Sequence, residues 1–137
     1  MSFESDMKKI QKRFEKRLHN ATVATLLNVT TQVIKGTPVD TGRAKANWQA
    51  TINTSANGTV ESTDTSASGG KTLKTAVPVI KQSIGQVYHL TNNVPYIGVL
   101  EFVPNFTKKT ETGWVRKAVK QFNKILAHNI RAEFRGK

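Results

Sequence analysis

The sequence predicts an α+β protein with a long N-terminal helix, a small antiparallel sheet with short helices, and a long amphipathic C-terminal helix. Three observations carry that expectation. Apolar residues recur at spacings of three and four from Phe3 to Ile34, and again from Trp114 to Phe134. Between these runs, Trp48–Ile52 alternates apolar with polar residues, and residues 86–91 read as a second strand with Val87 and His89 on one face and Tyr88 and Leu90 on the other. At 137 residues and 37% apolar composition the chain supports one modest core. The expected organisation is a partly projecting helix over 1–36, then a compact α+β domain over 37–137 with a flexible polar loop at 54–70.

The first helix is read over residues 2–35. Phe3, Met7, Ile10, Phe14, Leu18, Ala21 and Thr25 form its stripe, which Leu26, Val29, Val33 and Ile34 continue on a slightly shifted face. Ser2 or Ser5 suits the cap, and Glu4 and Asp6 suit the positive helix end. A helix of that length reaches roughly 50 Å, longer than a domain of this size is wide, so its first turns project. Asn, Thr and Val around Asn20–Thr25 favour a break there. The apolar spacing does not hold to strict heptads, which argues against a coiled coil.

Pro38 has no backbone N–H and stops the helix at Gly36. Asp40 is read as the cap of a single helical turn over 40–46, and Gly42 as the residue that lets the turn tighten. Residues 47–53 read as a strand with Trp48, Ala50 and Ile52 on one face. Residues 54–70 are small and polar, with a hairpin signal at Asn57-Gly58 and a brief return strand at 59–62. Residues 71–84 read as a helix that Pro78 kinks or begins, closed by Gly85. Residues 86–91 read as the second strand. Pro95 opens a short helix over 96–102, and residues 104–112 form a basic loop. Trp114–Arg135 reads as one helix with a broad apolar face. The expected core is Trp48, Ile52, Val87, Leu90, Leu100, Val115, Phe122 and Ile125.

Composition narrows the chemistry. There is no cysteine, so disulfides, thiolate zinc sites and cysteine nucleophiles are out. His19, His89 and His128 lie in separate elements with no ligand-type spacing. The chain begins without an apolar signal region and holds no run of ~18 apolar residues, so neither a leader nor a membrane span is expected. Net charge is +12: residues 1–36 carry 7 basic and 3 acidic side chains and residues 107–137 carry 9 and 2, so the two ends hold +11 of it. That asymmetry predicts an anionic neighbour. Lys108, Lys109, Arg116, Lys117, Lys120 and Lys124 are the candidate contacts, phosphate-directed and without base readout.

Asp40-Thr41-Gly42 matches the tripeptide with which aspartic proteases share a proton between two carboxylates. Its context does not fit. Thr37-Pro38-Val39 precedes it in place of an apolar strand, and Arg43 would set a cation beside the pair. Glu101, in the apolar segment 99–102, needs an ion-pair partner, for which Arg43 and Arg116 are candidates.

Taken together, Thr37-Pro-Val-Asp-Thr-Gly-Arg-x-x-x-Asn-Trp48, Val87-Tyr-x-x-Thr-Asn-Asn-x-Pro-Tyr96, Leu100-Glu-Phe102 and Gly113-x-Val-Arg116 resemble, in order and spacing over residues 1–135, the tail-completion or head–tail joining proteins of tailed bacteriophages, similar to the lambda-type minor tail protein Z. The chain departs from that pattern in one loop, at Val103-Pro104 and at Lys108–Thr112. The resemblance implies a non-enzymatic structural subunit without cofactor or metal. It would be made in the host cytoplasm and built into the virion at the head–tail junction. Implied partners are copies of itself in a sixfold ring, the tail terminator or tail tube, the head connector, and genomic DNA through phosphate contacts; a membrane is not among them. Pro38, Asp40, Gly42, Arg43, Trp48, Asn93, Pro95, Tyr96, Glu101, Gly113 and Arg116 would hold loops rather than do chemistry. The alternative reading is a basic accessory protein that binds nucleic acid without sequence specificity.

Overall fold

The computed structural model describes residues 2–109 and 111–135. Their order is α1 (Phe3–Gly36), α2 (Arg43–Ala46), β1 (Gln49–Ile52), α3 (Gly70–Gln82), β2 (Tyr88–Thr91), α4 (Ile97–Phe102), α5 (Trp114–Lys120) and α6 (Phe122–Arg135). The fold is α+β, with the long N-terminal helix and one antiparallel two-stranded sheet.

α1 starts where Ser2 accepts a hydrogen bond from the Ser5 N–H, and its first turn holds Glu4 and Asp6 at the positive end of the helix. It runs unbroken through 20–25, against the expected break. There the hydroxyls of Thr22 and Thr25 donate to carbonyls four residues back, those of Leu18 and Ala21, so the polar side chains are satisfied within the helix. Ala21, Thr25, Thr30, Val33 and Ile34 are buried, whereas Phe3 is 80% exposed and Met7, Ile10 and Phe14 about half. The second half of α1 is therefore core and the first half projects.

β1 and β2 pair with Gln49 opposite Thr91 and Ile52 opposite Tyr88. The sheet is tied to α1 where the Thr30 and Tyr88 hydroxyls meet at 3.0 Å. Residues 59–62 form no strand. Instead the Asn47 side chain takes the partner's place, donating to the Val60 carbonyl and accepting from the Val60 N–H.

The core comprises Val33, Ile34, Ala44, Trp48, Val94, Leu100, Trp114 and Ala118, with Val29, Leu73, Leu90, Ile97 and Val115 packed against it. Trp48 and Leu100 stand where the sequence puts them. Val87 does not: it precedes β2 and is 59% exposed. Ile52, Phe122 and Ile125 are only half-buried, because a two-stranded sheet has little face to cover and α6 lies at the rim, on α1. The expected C-terminal helix is two helices. They join at Gln121, whose N–H is shared between the Ala118 and Val119 carbonyls in a tightened turn. Pro78 stays inside α3, and Pro95 falls just before α4, whose helical residues begin at Ile97. No helix among the described residues is long and apolar enough to cross a membrane.

Candidate functional site

The end of α1 is fixed by two tryptophans. Thr37 donates its hydroxyl hydrogen to the Val33 carbonyl at 2.8 Å and accepts from the Trp48 indole N–H at 2.8 Å. Trp114 donates to the same Val33 carbonyl at 2.9 Å. Pro38 then turns the chain out of the helix, and Gly42 (φ +87°) starts α2. A left-handed φ with the Asp64 backbone 2.8 Å from where a Cβ would stand admits only glycine. The Gly42 carbonyl accepts from both Ala46 and Asp64 N–H groups.

Asp40 does not cap this turn. Its carboxylate is exposed and lies 3.9 Å from Lys109. The Thr41 hydroxyl, not Asp40, accepts from the Arg43 N–H. The capping expectation fails because Gly42 places the chain reversal two residues past Asp40, which then points to solvent. Arg43 is exposed and forms no ion pair among the described residues.

The polar loop is tied down by residues that no sequence motif marks. Lys45 is 1% exposed, and its ammonium donates to the Ser66 and Ala67 carbonyls. Burial pulls the Lys45 ammonium below its ordinary pKa, and the Asp64 charge opposes that shift. Asp64, 3% exposed, accepts from the N–H and hydroxyl of Ser66 and from the N–H and hydroxyl of Thr72. Burial pushes the Asp64 carboxyl up, and those four hydrogen bonds outweigh it, holding the group at about 2. Because α3 begins after a glycine, which offers no side-chain cap, Asp64 supplies the cap from six residues upstream of Gly70. Asn93 adds a further tie, donating to the Ala56 and Gly58 carbonyls.

The start of α5 is built on the same plan. Gly113 (φ +81°) precedes the helix and has no side chain to cap it. Glu101, at the end of α4 and 5% exposed, accepts from the Val115 and Arg116 N–H groups at 3.1 Å each and from Arg116 Nε at 2.9 Å. Arg116 also donates to the Glu101 carbonyl and lies over the Phe102 ring at 4.6 Å. Of the two partners the sequence offers Glu101, the structure selects Arg116.

A cleft of ≈ 610 Å³ opens beside this frame, between residues 38–44 and the loop carrying Phe106 and Lys109. It gathers Pro38, Asp40, Gly42, Arg43, Tyr96 and Lys109 of the sequence-predicted set. Trp48, Asn93, Pro95, Glu101, Gly113 and Arg116 are not among its lining residues and serve the frame. Asp40 is the one carboxylate among those lining residues. Arg43 and Lys109 make the rim cationic, suited to an anionic group. No cluster of three or more metal-ligating side chains occurs among the described residues.

The basic candidates divide in two. Lys109, Arg116 and Lys117 face Asp40, Glu101 and Glu111. Lys108, Lys120 and Lys124 are exposed and form no ion pair among the described residues.

Sequence reasoning missed Lys45 and Asp64 as structural charges. The available signals were a lysine between two alanines in a helical turn and an acid a few residues before a Gly-Gly helix start. Compared with known proteins, the chain matches no family model, no curated protein and no solved structure.

Proposed function

We propose that this chain is a structural virion protein of the phage neck. In this reading it is a tail-completion subunit that forms a ring of its own copies at the head-proximal end of a long non-contractile tail. It meets the tail terminator or tail tube on one side and the head connector on the other, around the DNA path. The observation that carries the reading is the projecting half of α1. A rigid helical arm leaves the body with Phe3, Met7 and Ile10 exposed, which is the form of a part that reaches a neighbour. The motif residues support it as fasteners: Glu101 and Arg116 lock α4 to α5, and Asn93 clips the polar loop. Electron microscopy of particles lacking the protein tests the proposal. Unjoined heads and tails are expected, and normally joined particles would sink it.

A second reading, a basic nucleic-acid-binding accessory protein, draws on Lys108, Lys120 and Lys124, which no carboxylate neutralises among the described residues. A salt titration against random-sequence duplex separates the two. Tight binding by the free chain that falls steeply with salt favours the accessory protein, and weak binding favours the neck.

A further inference from the structure

α1 and α6 run antiparallel, with Asn129 bonded to Thr25, Glu133 to Asn20, and Phe134 against Phe14 at 5.3 Å. The face of α1 that α6 covers continues toward the N-terminus as Ile10, Met7 and Phe3, where no element covers it among the described residues. Over this stretch, unlike the whole helix, the apolar spacing is four, three, four, the a and d positions of a coiled coil. Asp6 and Arg13 lie on one edge of that stripe, and Glu4, Gln11 and Leu18 on the other, by ~100° of rotation per residue. Lys8, Lys12 and Lys16 lie on the far side.

We infer that the occupant of this stripe in the unassembled protein is the same stripe of a second copy, packed antiparallel over residues 3–14. The charges choose the orientation. In an antiparallel pair like edges meet, so Asp6 faces Arg13 of the second copy and Arg13 faces its Asp6. The layers then match by size: Phe3 on Phe14, and Met7 on Ile10, each twice. A parallel pair brings unlike edges together, setting Asp6 beside Gln11 and Arg13 beside Leu18, with no ion pair. The second copy's helix also runs in the same direction as α6 and begins where α6 stops at Phe14, so it extends a packing that the fold already uses. The apolar surface removed is on the order of 900 Å² from both copies, a small interface, so the pair is concentration-dependent and readily exchanged.

Such a pair closes on itself and is not a ring contact. It keeps the stripe covered until an assembly partner competes for it. It holds or fails independently of the neck reading, which particle morphology tests.

Sedimentation velocity over a concentration series tests the pair with two exposed-site variants. The wild type is expected to dimerise. Asp6→Arg and Arg13→Asp each set like charges opposite one another and should weaken association at least tenfold. Mixed one to one, they restore both ion pairs and the dimer. A wild type that stays monomeric would overturn the inference and assign the stripe to a different protein. Single variants that dimerise undiminished, or a mixture that stays monomeric, would overturn it as well.

Discussion

Asp64 is buried yet remains a carboxylate, because four donors from Ser66 and Thr72 reach its two oxygens. Its folded pKa is held at about 2 from an ordinary 3.8. A depressed carboxyl pKa means stability that is present above about pH 4 and lost as pH falls toward 2, with a size of about 2 kcal/mol. Asp64→Asn should therefore be less stable at pH 7 and show a flatter loss of urea midpoint between pH 4 and 2 than wild type. Asp40 gives the opposite expectation. It caps nothing and its side chain is 96% exposed, so Asp40→Ala should change unfolding free energy by less than about 0.5 kcal/mol. A larger loss in urea titration would mean that the contact with Lys109 matters.

Elements here are joined by close approach as much as by burial. A Cβ on Gly36 would stand 2.6 Å from Trp114 Cδ1, whose indole is already bonded to Val33. Gly36→Ala should thus push α5 away from α1 and cost about 1–3 kcal/mol in chemical denaturation. Gly98 is the control: it is also helical, and a Cβ there meets nothing within 4 Å. Gly98→Ala should stabilise by about 0.4–1 kcal/mol by narrowing the unfolded ensemble. The Gln121 joint belongs to this scale too. Apolar spacing continues through it, which is why Trp114–Arg135 reads as one helix. The shared N–H of Gln121 is set by α5 packing in the core while α6 follows α1.

For the whole molecule, the division lies within α1 rather than at its end. Residues 2–16 contribute nothing buried, while Ala21, Thr25, Thr30, Val33 and Ile34 are buried, the last two in the central core. Removing residues 2–12 should leave the thermal midpoint within about 2 °C of wild type and abolish the concentration-dependent dimer. A truncated chain that melts much lower would show that the arm supports the body. The net charge of +12 also acts at this scale. It concentrates at both ends of the chain, and ion pairs hold Lys109, Arg116 and Lys117 while Lys108, Lys120 and Lys124 face solvent without one among the described residues.

The sequence by itself determined the α+β class, the long first helix, both strands, and the Glu101 partner to within two arginines. It did so because apolar period and turn chemistry are local properties of the chain. It also marked part of the cleft's lining, since Pro38, Asp40, Gly42 and Arg43 lie in one short stretch. Only the tertiary structure decided which apolar residues are central. Val33, Ile34 and Trp114 look like any other members of their stripes until α5 docks on α1. Only the tertiary structure revealed that Lys45 and Asp64 anchor the polar loop. Composition marks such a loop as solvated, and the donors that make a buried charge tolerable come from residues brought together by folding.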